Sequence, residues 1–271
     1  MKTTLEFIGI VFALFSGISL LLYFFQERMI FFPQPTSSSI EKSYASHAVT
    51  LRHGEVDLKG WLFKDRIGPD QPLIVYYGGN AEDIALNFYS LDRFATGSFL
   101  FMNYRGYGGS GGRPSERALC EDALFILDTV MKNEGIDPDH VILMGRSLGS
   151  GVAVYVAARR NVGGIILVTP FDSLTHVAQI HYPIFPVRLL LKHRFDSASI
   201  APTITIPALF VTAANDQVVP ARLASQLERL WGGPTTNVTV AGTDHNTIET
   251  SPVYWEAINT FLHQGHRAAD H

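Results

Sequence analysis

The feature of this sequence that most limits its possible folds is the regular alternation, from about residue 47, of short apolar runs with segments of helical periodicity. Continuous apolar runs bounded by turn residues are typical of strands that are buried on both faces. Strands that alternate with helices build a mostly parallel sheet covered by helices. The alternation therefore predicts an α/β fold in which a mostly parallel central sheet is flanked by helices.

Eight of the apolar runs are predicted to be strands, and the first two are expected to pair antiparallel. The predicted strands are His47–Arg52, Asp57–Lys64, Pro72–Tyr77, Ser98–Asn103, Val141–Met144, Gly164–Val168, Ala208–Thr212 and Asn237–Val240. The predicted helices are Ala81–Phe94, Glu116–Lys132, Leu148–Arg160, Ala221–Trp231 and Pro252–His263. With 271 residues, 46% of them hydrophobic and 17% charged, the chain is long and apolar enough to fold residues 47–265 as one domain.

The first 28 residues differ in character from the rest. The run Phe7–Phe25 contains no charged residue, and a helix of about 20 apolar residues crosses the roughly 30 Å core of a bilayer. The run continues into Gln26-Glu27-Arg28, without the small residues of a signal-peptide cleavage site. We therefore predict an uncleaved, single-pass anchor in the cell membrane over residues 1–28 and a juxtamembrane linker over residues 29–46. A cleaved signal peptide is the alternative.

The charges beside this run do not assign an orientation in the membrane. Lys2 and the amino terminus precede the run, whereas Arg28 and Lys42 follow it. Orientation is set by the side that carries the excess of Lys and Arg, and here the two sides are nearly balanced. The sequence therefore leaves open on which side of the membrane the rest of the chain lies.

The alternation of strands and helices is interrupted between Pro170 and Pro207. This segment has prolines at positions 183, 186 and 202 as well as apolar residues, and its sequence predicts an irregular chain. It follows the end of a predicted strand, where open α/β sheets bind their ligands. We predict a short lid over about residues 171–206 that contributes Phe185 and Leu190 to substrate binding. A packing excursion without substrate contact is the alternative.

Residues 145–149, Gly-Arg-Ser-Leu-Gly, match the pattern G-x-S-x-G. They follow a predicted strand and precede a helical pattern, which is the setting that the chemistry requires. The turn is sharp and strained, and glycines on both sides leave room for a serine exposed at a helix N-terminus. Ser147 is therefore predicted to be a nucleophile, with a serine in a purely structural turn as the alternative.

A serine hydroxyl needs an adjacent base to act as a nucleophile at neutral pH. After a G-x-S-x-G turn, the acid and the histidine are expected in that order, each in the loop after a late strand. Asp216 and His245 each follow one of the last two predicted strands, and we predict them as the partners of Ser147. Asp244 is a rival carboxylate, although a residue next to the histidine rarely reaches its ring. The other histidines are predicted to have no strand-end partner.

Acyl transfer also needs two backbone N–H groups that stabilise the negatively charged oxygen of the transition state. One is expected from Leu148, the residue after the nucleophile, and the other from the loop after the strand Pro72–Tyr77. That loop reads Gly78-Gly79-Asn80-Ala81, and its glycines let the backbone approach the reacting carbon. We predict Asn80 as the second donor, with Ala81 as the alternative.

Composition disfavours several other functions. The net charge is −4 and no dense cluster of Lys and Arg occurs, which argues against nucleic-acid binding. The single cysteine, Cys120, excludes an intramolecular disulfide and a cysteine-based metal site, and no metal or organic cofactor is predicted. Residues 106–111 spell G-x-G-x-x-G, but no acidic residue ends a following strand, so a turn at the edge of the site is favoured over a nucleotide-binding loop.

Several short stretches of the chain resemble a known family, and they extend from the end of the apolar N-terminal run to the last predicted strand. The stretches are Glu27-Arg28-Met29-Ile30-Phe31-Phe32-Pro33, Gly79-Asn80-Ala81, Asn103-Tyr104-Arg105-Gly106-Tyr107-Gly108, Gly145-Arg146-Ser147-Leu148-Gly149, Phe195-Asp196-Ser197 and His245-Asn246. Together they resemble the Bem-type, membrane-anchored α/β hydrolases, relatives of the ABHD serine hydrolases, which include protein depalmitoylases. Where that family commonly has His-Gly-Asn, this chain has Gly78-Gly79-Asn80.

The resemblance implies the α/β-hydrolase fold and assigns the nucleophile, acid and base to Ser147, Asp216 and His245. The expected activity is hydrolysis of a carboxylic ester or thioester through an acyl-enzyme, with a small-molecule or lipid-like acyl ester as substrate. A peptidase on the same fold is one alternative, but peptidases usually carry an extra gating domain, for which this chain has no room. A catalytically silent, membrane-tethered binding protein is the other.

Overall fold

A sheet of eight strands runs through the computed structural model of the protein, which describes residues 2–64 and 71–265. The strands are β1 (Ala48–His53), β2 (Val56–Phe63), β3 (Leu73–Tyr77), β4 (Ser98–Met102), β5 (Val141–Arg146), β6 (Gly164–Val168), β7 (Ala208–Ala213) and β8 (Thr235–Val240). Their order in the sheet is β1-β2-β4-β3-β5-β6-β7-β8. The pairs β1–β2 and β2–β4 are antiparallel, whereas every other neighbouring pair is parallel.

Helices cover both faces of this sheet. The α-helices are α1 (Lys2–Ile30), α2 (Ser38–Ser43), α3 (Glu116–Glu134), α4 (Leu148–Ala157), α5 (Leu174–His181), α6 (Val187–Leu190), α7 (Ser197–Ile200), α8 (Ala221–Leu230) and α9 (Pro252–Gly265). Short 3₁₀ helices are found at Ala45–His47, Ile84–Arg93, Pro138–His140, Ala201–Thr203 and Ile248–Thr250. The predicted α/β architecture, with its antiparallel opening pair, is thereby confirmed.

The core consists of two apolar layers separated by the sheet. All residues of β3 are buried, and they alternate between the two layers because side chains of a strand point to opposite faces. Leu73, Val75 and Tyr77 pack in the layer that includes α3, α4 and α8. Ile74 and Tyr76 pack in the layer that includes α9 and the 3₁₀ helix Ile84–Arg93. Burial on both faces explains why these strands are continuous apolar runs in the sequence.

The helix predicted over Ala81–Phe94 is instead a 3₁₀ helix over Ile84–Arg93. Asp83 caps it by accepting a hydrogen bond from Ala85 N at 3.2 Å, so the helix begins three residues later than predicted. Asn87 donates its side-chain N–H to Ile84 O at 3.0 Å. Side-chain amides that bond nearby backbone compete with regular α-helical hydrogen bonding, which accounts for the difference.

The segment 171–206, named the lid segment from here on, is about half helical, which is more regular structure than predicted. It contains α5, α6, α7 and the 3₁₀ helix Ala201–Thr203. Ser173 caps α5 by accepting a hydrogen bond from His176 N at 3.2 Å. Pro183 and Pro186 lie between α5 and α6, where proline interrupts helical hydrogen bonding.

Helix α1 is the one helix within the described residues that is long and apolar enough to cross a membrane. It ends at Ile30, two residues beyond the predicted anchor. The segment predicted as a linker, residues 29–46, is packed on the domain, because Phe31 and Ile40 are buried. Hence α1 is attached to the domain through a segment that packs on it.

Candidate active site

Ser147 lies in the turn between β5 and α4, at the N-terminus of α4. Its backbone has φ 50° and ψ −117°, a conformation that costs a non-glycine residue about 1–3 kcal/mol. Two hydrogen bonds hold the turn: Ser147 N donates to Val168 O at 2.9 Å, and Ser150 Oγ donates to Ser147 O at 2.6 Å. The strained turn presents Ser147 to a cavity at the edge of the sheet.

The two glycines of the motif leave no space for a side chain. A Cβ atom on Gly149 would lie 2.0 Å from Tyr77 O, and one on Gly145 would lie 2.4 Å from Gly149 O. Both clashes are with backbone atoms, so no side-chain rotation relieves them. The glycines therefore allow α4 to approach β3 and β5 as closely as the turn requires.

Ser147, His245 and Asp216 form a continuous hydrogen-bonded chain. His245 Nε2 lies 3.0 Å from Ser147 Oγ, and His245 Nδ1 lies 2.8 Å from Asp216 Oδ2. The Asp216 side chain is 2% exposed and that of His245 is 10% exposed. An ionised Asp216 keeps the imidazole proton on Nδ1, which leaves Nε2 to accept the proton of the serine hydroxyl.

The hydrogen bonds of the two candidate acids, Asp216 and Asp244, show which of them contacts the histidine. The second oxygen of Asp216, Oδ1, accepts from Val218 N at 2.9 Å and Val219 N at 2.7 Å, which fixes the carboxylate. Asp244 accepts instead from Asn246 N and from the backbone and hydroxyl of Thr247. The backbone hydrogen bond from Asn246, followed by the Thr247 hydroxyl, lowers the pKa of Asp244. Asp244 thus stabilises a turn, while Asp216 contacts the histidine.

The loop after β3 lies against the serine, since a Cβ on Gly79 would be 3.9 Å from Ser147 Cβ. Gly79 N donates to Glu82 Oε2 at 2.6 Å and is therefore occupied. Within the described residues, no hydrogen bond uses the backbone N–H of Asn80 or of Leu148. These two N–H groups are the ones predicted to receive the substrate oxygen, and both residues line the cavity.

Two tyrosine hydroxyls hold the loop after β3 in place. Tyr104 donates its hydroxyl to Gly78 O at 2.9 Å, and Tyr107 donates its hydroxyl to Asn80 Oδ1 at 3.2 Å. Asn80 Oδ1 also accepts from Phe32 N at 3.1 Å. Both tyrosines belong to the Asn103–Gly108 stretch, whose glycine-rich continuation closes on itself through Gly106 N and Gly111 O at 2.9 Å.

Glu82 and Arg146 line the candidate site, and no sequence pattern pointed to either residue. Glu82 accepts from Tyr76 Oη at 2.8 Å and Asn87 Nδ2 at 2.6 Å, in addition to Gly79 N. Burial, and secondarily the charge of Glu82, raises the pKa of Tyr76 well above its ordinary value, so the phenol keeps the proton that it donates. Arg146 Nη1 lies 3.7 Å from Glu82 Oε2, and its Nη2 donates to His245 O at 3.2 Å. This network connects the loop after β3 to the loop that carries His245.

A cavity of about 890 Å³ lies over Ser147. Its walls come from the loop after β3, the lid segment and the last turns of α1. Phe185 and Leu190, the predicted substrate-binding residues, are both part of the lining. The residues contributed by α1 are Leu22, Gln26, Met29 and Ile30. The cavity wall formed by α1 goes beyond the anchoring role predicted for residues 1–28.

One histidine prediction is wrong. His176 does have a strand-end partner, because its Nδ1 lies 2.6 Å from Oδ2 of Asp172, which follows β6. The Asp172 side chain is buried, and its other oxygen accepts from Ser173 N at 2.6 Å. His176 is not part of the cavity lining, so this pair stabilises the start of α5 outside the candidate site.

Two observations bear on other chemistries. Among residues 2–64 and 71–265, no group of three or more His, Cys, Asp and Glu side chains is arranged to hold a metal ion. Cys120 is buried on α3, and burial, followed by the charge of Glu116, raises the pKa of its thiol to about 12. A thiol with such a pKa is a poor nucleophile at neutral pH, which leaves Ser147 as the candidate.

Comparison with known proteins supports the same fold. The chain has 33% identity over 270 residues with the uncharacterized protein Rv2307c of Mycobacterium tuberculosis, covering 95% of this chain and 94% of that protein. It has 29% identity over 196 residues with alpha/beta hydrolase domain-containing protein 17B of Xenopus laevis, covering 70% of this chain and 66% of that protein.

Solved structures resemble the chain at lower identity. An alpha-beta hydrolase of Vibrio vulnificus superposes with a TM-score of 0.64 at 21% identity, covering 84% of each chain. Est1E of Butyrivibrio proteoclasticus, solved with ferulic acid bound, superposes with a TM-score of 0.64 at 17% identity, covering 80% of this chain and 99% of that chain. The serine hydrolase family matches residues 126–264, about half of the chain. With this match and the sheet order described above, the chain belongs to the serine hydrolases and has the α/β-hydrolase fold of the ABHD-like proteins.

Proposed function

We propose that this protein is a membrane-anchored serine hydrolase that cleaves carboxylic esters or thioesters, with Ser147 as nucleophile, His245 as base and Asp216 as the residue that orients the base. One observation carries the proposal: the hydrogen-bonded chain Asp216–His245–Ser147 ends in a largely apolar cavity. A serine activated in this way, at the N-terminus of a helix, is suited to attack an acyl carbon.

The first half of the reaction is acylation. As Ser147 Oγ forms a bond to the carbonyl carbon, its proton passes to His245 Nε2, 3.0 Å away. The carbonyl oxygen becomes negatively charged and is received by the N–H groups of Asn80 and Leu148; one such donor contributes on the order of 3 kcal/mol in the transition state. The bond from carbon to the leaving oxygen or sulfur then breaks, and Nε2 returns its proton to the leaving alcohol or thiol.

The second half of the reaction is deacylation by water. His245 Nε2 takes a proton from the water as its oxygen attacks the acyl carbon, and returns that proton to Ser147 Oγ as the acid leaves. Asp216 remains ionised throughout and stabilises the imidazolium that forms twice in each cycle. The buried carboxylate is prepared for this role, because its other oxygen is already held by Val218 N and Val219 N.

The apolar lining of the cavity supports the proposal that it binds the acyl group of the substrate. The lid segment contributes apolar side chains to the wall, among them Val177, Phe185, Val187, Leu190 and Leu191. Each methylene buried against such a wall contributes about 0.8 kcal/mol, which corresponds to about fourfold in kcat/KM. Charged acyl groups are expected to be poor substrates because, among the described residues, the lid segment contributes no Lys, Arg, Asp or Glu to the cavity lining.

The proposal is tested with esters and thioesters whose acyl chains range from acetyl to palmitoyl, assayed on the full chain in detergent. We expect kcat/KM to rise by about fourfold for each methylene until the cavity ends. Leu190→Ala should flatten the rise, because Leu190 lines the cavity. The matched control is Leu189→Ala, since Leu189 is 82% exposed and outside the lining. A profile that is flat in the unmodified protein would contradict acyl binding in this cavity.

Peptide amides and a fluorophosphonate probe complete the test. Faster cleavage of peptide amides than of matched esters would favour a peptidase. Failure of the probe to label Ser147 in folded protein would favour the silent binding protein.

A separate prediction concerns α1, whose residues from Phe7 to Phe25 carry no charge. The full chain is expected to stay with membranes through washes at high salt and at alkaline pH, because a spanning helix is held by apolar burial rather than by charge. The measurement is the fraction of protein recovered in the membrane pellet. Isolation of a mature chain cleaved near residue 26 would instead establish a signal peptide.

A further inference from the structure

Helix α1 is in direct contact with residues 182–191, named the lid tip from here on. The rings of Phe15 and Phe185 are stacked, with centroids 5.3 Å apart and planes 5° apart. Closer to the domain, Gln26 Nε2 donates to Leu190 O at 3.0 Å, and Gln26 Oε1 accepts from Lys192 N at 2.7 Å. The lid tip is therefore fixed to α1 at two levels along the helix.

The contact between Phe15 and Phe185 lies deep in the apolar run of α1. Phe15 precedes Phe25, the end of the uncharged run, by ten residues, which corresponds to about 15 Å along an α-helix. The hydrocarbon core of a bilayer is roughly 30 Å thick. If the uncharged run occupies that core, the ring of Phe185, stacked on Phe15, lies near the middle of the bilayer.

The surface of the lid tip is suited to such a position. Ile184 is 73% exposed and Leu189 is 82% exposed, although both are large apolar side chains. Residues 182–191 contain one charged residue, Arg188, whose long side chain can extend toward the headgroups. Apolar side chains exposed together beside an apolar helix mark a surface that contacts lipid rather than water.

The backbone of the lid tip is also adapted to a medium without water. Gln179 Nε2 lies within hydrogen-bond distance of three carbonyl oxygens, those of Tyr182 at 3.3 Å, Pro183 at 3.2 Å and Phe185 at 3.3 Å. Proline at positions 183 and 186 has no N–H to satisfy. Gln26 bonds the backbone on the other side of α6. Because unsatisfied backbone groups cost several kcal/mol each in hydrocarbon, this arrangement favours membrane contact.

The cavity over Ser147 extends to the seam between α1 and the lid tip. Leu22, Gln26 and Ile30 of α1 line it together with Phe185 and Leu190 of the lid segment. The covered face of α1 comprises residues spaced at helical intervals: Phe15, Ser19, Leu22, Tyr23, Gln26 and Ile30. A substrate acyl chain that lies along this face would extend from the level of Phe15 to Ser147.

We propose that α1 and the lid tip form one membrane-embedded surface, and that the acyl chain of the substrate reaches Ser147 from within the bilayer along α1. The inference rests on the proposed function for the chemistry at Ser147, but its membrane-contact part does not depend on catalysis. It makes α1 a substrate-binding element as well as an anchor. A protein that lacked α1 would lose one wall of the acyl-binding cavity as well as its attachment to the membrane.

The position of the lid tip is tested by fluorescence quenching in bilayers of phosphatidylcholine that carry a nitroxide on the acyl chain. The full chain with Ile184→Cys, labelled with a fluorophore, should lose most of its emission to the nitroxide lipid. The control is Lys132→Cys, an exposed position at the far end of α3, about 24 Å along that helix from Glu116, which contacts the lid segment through Phe195 N. The unaltered chain provides the labelling blank, because Cys120 is buried.

Quenching at positions 184 and 132 is compared in the same bilayers. Quenching at position 184 without quenching at position 132 supports the embedded lid tip. Equal quenching at the two positions, or none at position 184, overturns it. Neither result depends on whether the enzyme turns over a substrate.

The route along α1 is tested by a matched pair of substitutions. Leu22→Trp should fill the seam and remove room for about two methylenes, lowering the ratio of kcat/KM for palmitoyl esters to kcat/KM for acetyl esters by on the order of tenfold. Leu21→Trp places the same side chain on a position that is 58% exposed and outside the cavity lining, and it should leave this ratio unchanged. Identical profiles for the two variants overturn the route, whereas the unaltered protein's failure to hydrolyse any ester or thioester of the acyl series would refute the proposed function instead.

Discussion

Ser147→Ala is expected to lower kcat/KM for ester hydrolysis by about four to six orders of magnitude and to abolish labelling by fluorophosphonates. The substitution removes the atom that forms the acyl-enzyme and leaves only binding and the backbone donors. It should leave the fold intact, because in the described part of the chain the side chain takes part in one hydrogen bond, to His245 Nε2. The measurement is initial rate together with the midpoint of thermal unfolding.

A second serine provides the control for this substitution. Ser197 is buried, and its Oγ has no hydrogen-bond partner within the described residues. Ser197→Ala should therefore retain both activity and stability. If Ser147→Ala kept near-normal turnover while remaining folded, Ser147 would not be the nucleophile.

The partners of Ser147 should behave as one unit. His245→Ala is expected to cost about as much as Ser147→Ala, and Asp216→Asn somewhat less, because the imidazole stays in place but loses its orienting charge. The double variant Ser147→Ala/His245→Ala should be no slower than either single variant. Additive losses would indicate that the two residues act in separate steps.

The three residues could be anticipated from the sequence because of the parallel sheet. Strands β5, β7 and β8 run in the same direction, so their carboxyl ends meet at one edge. The register shows how close these ends are, since Arg146 pairs with Val168, Val168 with Val211 and Ala213 with Val240. Residues a few positions beyond those ends, one for each strand, are brought within hydrogen-bond distance.

Other parts of the site were inaccessible to this reasoning because they depend on contacts between distant segments. Gln26 bonds the lid segment 164 residues later, and Arg146 bonds His245 O across 99 residues. Neither contact follows from strand order or periodicity. Glu82 illustrates the same limit: its three hydrogen bonds are local in sequence, yet their effect depends on how the loop after β3 is placed beside Ser147.

The character of two segments was missed for a related reason. Apolar spacing in Ala81–Phe94 indicated an α-helix, but the capping by Asp83 and the amide of Asn87 favour 3₁₀ geometry. In the lid segment, prolines suggested irregular chain, although they separate short helices rather than prevent them. Periodicity reports which face is buried, while local side-chain hydrogen bonds decide the type of helix.

Gly149→Ala is expected both to destabilise the protein and to slow turnover, although it alters no residue of the proposed triad. The new Cβ would lie 2.0 Å from Tyr77 O and 2.6 Å from Gly78 O, so β3 and the loop that carries Asn80 must move away from α4. Overpacking of this kind costs about 1–3 kcal/mol and occasionally more. Displacement of a donor by about 1 Å lowers the rate by on the order of 100-fold. Thermal unfolding and kcat measured on the same preparation would report both effects.

Gly151→Ala is the matched control, because it lies one half-turn further along the same helix. Its Cβ would lie 3.1 Å from Cβ and Cδ1 of Phe195, a contact that requires a shift of a few tenths of an ångström, whereas a Cβ on Gly149 would lie 2.0 Å from the backbone oxygen of Tyr77. The gain in helix propensity from glycine to alanine is about 1 kcal/mol and offsets part of the contact. We therefore expect Gly151→Ala to remain folded and active while Gly149→Ala loses both stability and turnover. Equal behaviour of the two variants would mean that the close approach of α4 to β3 is not what positions Ser147 beside the loop that carries Asn80.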